Sequence, residues 1–314
     1  FLLRKWIFVV CLCTSVLCSG CSERIEELDS VSSAPITDTV TDADAKATRD
    51  IFAMDTYISL TAYGANAEMG LTAAETCIQD LDERLSTGNA SSEIAQLNVN
   101  GSGTLSEDTC AILQEALTLQ EETDGAFNPL MYPIMQAWGF PTQEYRIPDA
   151  SELQDLLLLT HSENMQFSSE TGTISFSISG MELDLGGIAK GYTSDAVMDC
   201  FRSSGVTSGM VSLGGNVQTI GAKPDGSLWR VAIQNPNKEE NFLGVLETRD
   251  CAVITSGGYE RYFEEDGIRY HHIMDPATGR PAESDLTSVT IVSPDGILAD
   301  GLSTALFVMG LEKA

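Results

Sequence analysis

The 314-residue chain reads as an α+β protein, a mixed α/β single domain whose mixed, largely antiparallel sheet is flanked by helices. Three observations predict this. Short segments rich in β-branched and aromatic residues follow one another across glycine turns, which favours antiparallel pairing because parallel neighbours need long crossovers. Between them, three stretches carry helical spacing. No unit of 20 to 50 residues recurs, so solenoids and propellers are excluded. With 43% hydrophobic residues, the chain has enough apolar material for a sizeable core.

The elements follow in order. Arg4 and Lys5 precede an apolar run from Trp6 to Leu17 and then "CSGC", so residues 1–21 fit a secretory signal too short for a normal transmembrane helix. Ser19 and Gly20 before Cys21 fit a bacterial lipobox, with Cys18 where leucine is usual. The expectation is a chain lipidated at Cys21 and held outside the bacterial cell membrane; plain secretion and an uncleaved anchor are the other readings. Residues 22–50, polar and acidic, read as a flexible tether. The folded domain is expected over 51–314.

Within it, "FAMDTYISLTAYG" (52–64) alternates like one strand, and 67–86 places apolar residues at 71, 74, 78, 81 and 85 as a helix does. "TGNASSEIAQLN" reads as a loop. Residues 106–125 read as a helix capped by Ser106 and stopped at Gly125. "GTISFSISGMELDLG" (172–186) reads as two strands about Gly180, 190–205 as a helix, and 209–221 as two strands about Gly-Gly. "WRVAIQNP" and "CAVITSGG" are further strands.

A formal charge of −29 repels nucleic acid and anionic lipid, so no nucleic-acid partner is expected. A phosphate ligand would need local donors or a divalent cation. Of the eight cysteines, Cys11, Cys13, Cys18 and Cys21 lie in the leader. Cys77, Cys110, Cys200 and Cys251 are too scattered for a zinc pattern. A disulfide among these four is open in an oxidising compartment, but the sequence does not pair them.

Several stretches carry chemistry-bearing residues. "LDLGGIAKGY" (183–192) sets Asp184 and Lys190 about a bare Gly-Gly. Such a turn lets backbone approach a phosphate, and equally serves a tight strand-to-helix turn with Asp184 solvated. In "ADGLSTALFVMG" (299–310), Asp300 and Thr304 are four apart. If a helix starts there, both oxygens face one side of its first turn and could hold a hard cation; otherwise Asp300 is a cap and Thr304 packing. "HHIMDPATGRP" (271–281) offers a histidine as acid, base or phosphate donor, or two histidines that finish a strand. "TSGGYERYF" and "TDGAFNPLMYP" are glycine turns beside aromatics.

Taken together and in this order, these motifs with "VSLGGNVQTIG", "MDT", "LSTGNASSEIAQLN" and "GAFNPLMYPIMQAWGF" resemble the ApbE family of FAD:protein FMN transferases from about Phe52 onward. The resemblance implies cleavage of FAD at its pyrophosphate, transfer of FMN to a threonine or serine of a target protein, release of AMP, and a requirement for Mg²⁺. It implies that Met54, Ala126, Phe127, Asn128, Asp184, Lys190 and Ile273 line the FAD site. It gives the metal the Gly187 carbonyl and the Asp300 and Thr304 side chains, with His272 and Asp300 as the catalytic pair. The acceptor would be a flavin-carrying protein of a membrane redox complex.

Mg²⁺ prefers oxygen ligands and usually takes one or two carboxylates plus substrate phosphates, which suits such a set. The chain departs from the family in having Asp55 where glycine is frequent and "STGN" where an aromatic is frequent. It also stops at Ala314 where relatives usually continue, so truncation at the C-terminus is expected. Two other functions remain open at this level: an FAD pyrophosphatase giving FMN and AMP, and an FAD-binding lipoprotein without chemistry.

Overall fold

The structure, a computed structural model, describes residues 8–11, 45–237 and 241–314. Cys21 and the stretch 22–44 lie outside the described residues, as does the leader except for the backbone of 8–11. Seven strands form the main sheet: β1 (Phe8–Cys11), β2 (Lys46–Ala53), β3 (Thr56–Tyr63), β4 (Gly209–Leu213), β5 (Asn216–Ile220), β6 (Ala252–Gly257) and β7 (Ser288–Ser293). Their order is β1-β7-β6-β5-β4-β3-β2, and every neighbouring pair is antiparallel. The register pairs Ala53 with Thr56, Leu213 with Asn216 and Gly257 with Ser288, so three of the strand junctions share one end of the sheet.

The helices are α1 (Ala67–Leu85), α2 (Glu93–Asn100), α3 (Glu107–Glu122), α4 (Tyr132–Trp138), α5 (Ala150–Leu157), α6 (Ala189–Ser203) and α7 (Gly296–Lys313). Strand alternation sends Ile58, Leu60, Val211 and Leu213 to one face, against Leu71, Ala74 and Ile78 of α1 and Val197 and Phe201 of α6. Each large aliphatic buried there stabilises the fold by about 1.5–3 kcal/mol. α7 packs Ala299, Leu306 and Phe307 on Ile254, Val289 and Ile291 of the sheet. Its Leu298 and Ala305 join a second core with α2, α3 and the segment 181–185. Burial on both sides explains why 297–309 is apolar almost all round.

The structure departs from the sequence expectations at several points. The expected strand over 52–64 is a hairpin, broken by Met54 and Asp55 at φ 54° and 56°. Asp tolerates this left-handed geometry better than most residues, which accounts for a side chain where glycine would be easiest. Strand β2 begins at Lys46, so the last five residues of the expected tether, 46–50, belong to the sheet. The expected loop after α1 contains α2, whose Ser92 hydroxyl accepts from the Ala95 N–H at 2.9 Å.

Of the two strands expected over 172–186, only Thr173–Phe176 forms one. Residues 181–185 run outside any sheet, fixed by the Asn98 side chain. Its Oδ1 accepts from the Leu183 N–H at 2.7 Å, and its Nδ2 donates to the Leu183 carbonyl at 2.9 Å.

Candidate active site

The N-terminal half of α6 crosses α7 with almost no side chain between them. A Cβ on Gly191 would lie 2.3 Å from the Gly296 carbonyl oxygen and 2.6 Å from Asp300 Cβ, so only glycine fits. Asp195 of α6 holds the start of α7 by accepting from the Gly296 N–H at 3.0 Å and the Ile297 N–H at 2.9 Å. Asp295, not Asp300, caps α7, accepting from the Leu298 N–H at 3.0 Å. Asp300 therefore sits in the second turn, which corrects the expectation that a helix starts there.

That position buries the Asp300 carboxylate, which is 4% exposed. Oδ2 accepts from the Gly191 N–H at 2.8 Å and Oδ1 from Asn216 Nδ2 at 3.0 Å. Burial raises its pKa, while the Lys190 charge, the Gly191 amide and Asn216 oppose the rise. Because the Gly191 N–H goes to this carboxylate, α6 does not spend it on the Gly187 carbonyl four residues earlier. One helical turn after Asp300, Thr304 lies with its hydroxyl 3.3 Å from Ser256 Oγ, which also meets Ser303 Oγ at 2.7 Å.

The turn before α6 completes this wall. Asp184 Oδ1 accepts from the Gly186 N–H at 2.8 Å, and burial holds the carboxyl above its ordinary range, with that amide, Lys190 and Arg261 opposing. The Phe127 ring lies 3.2 Å from where a Gly187 Cβ would start, so a side chain there would press on the ring. Lys190 donates to the Gly186 carbonyl at 3.5 Å. Its charge acts on Asp184, Glu260, His272 and Asp300 together, so one ammonium stands among three carboxylates and an imidazole. Glu260, on the exposed rim, is raised to about 7, by desolvation first, with Lys190 lowering and Asp300 raising it. The protein wall around the carboxyl does this even though the residue as a whole is exposed.

The adjacent histidines separate. The strand Ile268–His271 ends at His271, whose Nε2 lies 3.2 Å from the Ala282 carbonyl and whose ring meets Phe307 edge-on at 5.5 Å. His272 lies just beyond the strand, with Nδ1 3.1 Å from the Arg261 carbonyl and its ring 6.4 Å from that of Phe140. A carbonyl only accepts, so Nδ1 carries the proton and Nε2 keeps a lone pair. Burial lowers the His272 pKa to about 4, which keeps the ring neutral.

Met54, at the tip of the first hairpin, accepts a hydrogen bond from the Thr193 hydroxyl of α6 at 3.4 Å, which ties the hairpin to the same wall. Phe127 is buried and Ala126 half-buried beside it. The Asn128 side chain ties its loop to the turn after α5, donating to the Thr160 carbonyl at 3.0 Å, and accepts from the Leu130 N–H at 2.9 Å. Ile273 is buried in the core beneath α7.

Asn216, Ser256, Glu260, Arg261 and Asp195 were missed by the sequence reading. The first four sit inside or beside the quoted glycine turns, where a polar residue at the end of a strand was the available signal. Two open grooves of about 660 and 490 Å³ lie elsewhere, one along α3 and one by Tyr63, and neither is lined by an expected site residue. Among the described residues no group of three or more His, Cys, Asp or Glu side chains is placed to hold a metal ion by itself. A cation at this wall would meet one carboxylate and neutral oxygens.

Over residues 54–314 the chain matches the model of the ApbE family. It is 35% identical over 248 residues to a Vibrio cholerae protein named FAD:protein FMN transferase, covering 77% of this chain and 74% of that one. A Treponema pallidum protein of the same name is 36% identical over 269 residues, covering 80% and 74%. The crystal structure of the ApbE protein from Thermotoga maritima is similar at a TM-score of 0.80 and 32% identity, covering 84% of this chain and 87% of that one. The flavin transferase ApbE from Vibrio cholerae gives 0.77 and 30%, covering 86% and 88%. The match begins at the Met54 turn and takes in both glycine turns, the histidine pair and all of α7; the chain belongs to the ApbE family.

Proposed function

We propose that this chain transfers the FMN half of FAD to a threonine or serine hydroxyl of an acceptor protein and releases AMP. Family membership supports the reaction class, since the relatives carry the name FAD:protein FMN transferase. The observation that carries it to this chain is the wall at the α6–α7 crossing, where the buried Asp300 carboxylate and the Thr304 hydroxyl stand with Lys190, a neutral histidine and the glycine turn that leads into α6.

In the reaction the acceptor oxygen forms a bond to the FMN phosphorus, the bridging P–O bond breaks, and the electron pair leaves with AMP. The hydroxyl proton goes to a base. His272 suits that role, because its Nδ1–H is anchored on the Arg261 carbonyl and its Nε2 lone pair is free to accept. Lys190 counters the pyrophosphate charge, and Asp184 and the Gly186–Gly187 turn bring the backbone close to it.

The donor set fits Mg²⁺: Asp300, Thr304 and the Gly187 carbonyl are all hard oxygens, and a buried carboxylate needs positive charge nearby. These residues would hold the ion. When bound, it would supply charge neutralisation at the phosphates. Export and lipidation at Cys21 belong to the same proposal, as does an acceptor within a membrane redox complex; the leader and the family resemblance support them.

The test is incubation of the protein with FAD, Mg²⁺ and a threonine-containing acceptor. The acceptor should gain FMN in equal amount to the AMP formed. AMP with free FMN and an unmodified acceptor would make the chain a pyrophosphatase, and FAD binding without AMP would make it a carrier.

A further inference from the structure

The strands Tyr262–Glu265 and Ile268–His271 form a hairpin closed by Asp266 and Gly267, both at positive φ, 52° and 76°. Its register pairs Tyr262 with His271 and Phe263 with Tyr270, so the next residues out, Arg261 and His272, face each other at its open end. Alternation continued one residue past each strand puts Arg261, Phe263, Tyr270 and His272 on one face and His271 on the other. The first of these faces packs on the end of α4. Phe263 stacks on Tyr145 at 4.9 Å and on Tyr270 at 5.2 Å, and its ring lies 6.0 Å from Phe140 and 6.3 Å from Trp138. That helix end is fixed in turn. Gly139 stops α4 at φ 79°, where a Cβ would lie 2.0 Å from the Glu144 carbonyl oxygen, and the buried Phe140 donates its N–H to the Met135 carbonyl at 3.1 Å.

A closed circuit of contacts joins Arg261, His272 and Phe140. The Arg261 carbonyl accepts from both the backbone N–H and the Nδ1–H of His272, each at 3.1 Å. Its guanidinium reaches the other way, Nη2 donating to the Phe140 carbonyl at 2.8 Å. The Phe140 ring completes the circuit 6.4 Å from that of His272. Arg261 thus grips the imidazole with its main chain and ties itself to the end of α4 with its side chain.

We propose that Arg261 is the positioning residue of His272, fixing the tautomer and aim of the imidazole, and is not a ligand of the FAD phosphates. The proposal rests on His272 as the base of the transfer reaction. A guanidinium beside a phosphate site reads first as a phosphate ligand, and the two roles have different consequences. A ligand contributes to FAD affinity. A positioning residue contributes to proton transfer, because an imidazole free to turn loses both its Nδ1–H tautomer and the aim of its Nε2 lone pair.

The first test needs neither variant nor substrate. In the full chain with nitrogen-15 histidine, long-range proton–nitrogen correlation at pH 7 reads the tautomer of each of the three histidines, with His272 assigned by the loss of its signals in His272→Gln. His272 should carry its proton on Nδ1 in the parent, become a mixture with the Nε2–H form in Arg261→Met, and return to Nδ1–H in Arg261→Lys, whose ammonium still donates to a carbonyl. With FAD, Mg²⁺ and acceptor, Arg261→Met should slow single-turnover transfer by about ten- to a hundredfold while the Kd for FAD stays within about twofold, and Arg261→Lys should recover most of the rate. Arg261→Gln, on a shorter stem, is the second variant if Arg261→Met does not fold. An Nε2–H tautomer in the parent, or an unchanged Nδ1–H tautomer in the folded variant, would overturn the proposal. So would a Kd for FAD raised about tenfold at an unchanged rate, which would make Arg261 a phosphate ligand. A parent that shows the tautomer response but transfers no FMN would refute the transfer reading alone and leave the clamp on His272 standing.

Discussion

Replacing Gly191 with alanine adds one methyl group at the tightest point of the site. That carbon would meet the Gly296 carbonyl oxygen at 2.3 Å, the Gly296 carbonyl carbon at 2.8 Å and Asp300 Cβ at 2.6 Å. Non-bonded heavy atoms rest near 3.5 Å or beyond, so α7 must retreat by roughly 1 Å. The obstacle is backbone, and no rotamer change relieves it. Overpacking of this kind costs about 1–3 kcal/mol, and the better helix propensity of alanine returns up to about 1. A net loss of about 2 kcal/mol corresponds to a melting temperature lower by roughly 4–8 °C in a domain of this size.

The same shift lengthens the 2.8 Å bond from the Gly191 N–H to Asp300 and displaces the carboxylate. A misplacement of about 1 Å at a reacting centre costs on the order of a hundredfold in rate. Differential scanning calorimetry and the FMN-transfer rate at saturating FAD measure the two effects. Gly103→Ala is the control, since nothing lies within 4 Å of its Cβ position and its φ is ordinary. A Gly191→Ala protein with the melting point and rate of the parent would refute the close crossing as what positions Asp300.

Asp300→Ala should lower metal-dependent transfer by at least about a hundredfold while the far-ultraviolet spectrum is unchanged, and a normal rate at limiting Mg²⁺ would place the ion elsewhere. His272→Ala should slow transfer by about a hundred- to ten-thousand-fold with FAD still bound, and His271→Ala much less, read by single-turnover kinetics and fluorescence titration; equal small effects would make the pair structural. His272 also predicts an acid dependence of stability. Its folded pKa is lowered to about 4, so between roughly 6.5 and 4 the unfolded chain binds a proton that the native state refuses. Its contribution is present above that window and is lost as pH falls, by about 2 kcal/mol at pH 5, and His272→Gln should remove this difference in urea titrations. Fatty-acid labelling should mark Cys21, and label that is absent from the parent or persists in Cys21→Ser would contradict lipidation.

The sheet and its long helices were legible because their signals are local. The spacing of Leu71, Ala74 and Ile78 marks α1, and the alternation in 56–63 marks β3. The hairpin turn was hidden because Met54 and Asp55 adopt positive φ without the glycine that usually announces it, so nothing in the alternation marks the turn. α2 was hidden by its length of eight residues, too short for periodicity to outweigh a polar loop. At the site, the motifs named the carboxylates and glycines but not their partners. Asn216 reaches Asp300 across 84 positions, and Asp195 ties α7 across about a hundred. Such pairings exist only after the chain closes, and nothing in either segment announces the other.

The central claim, that the α6–α7 wall passes FMN to a protein hydroxyl, is tested most directly by the intact mass of an acceptor after incubation with this chain, FAD and Mg²⁺. The account predicts one added FMN less one water per acceptor, lost when the acceptor threonine is changed to alanine and when this chain carries Asp300→Ala. An acceptor of unchanged mass beside stoichiometric AMP and free FMN would contradict it.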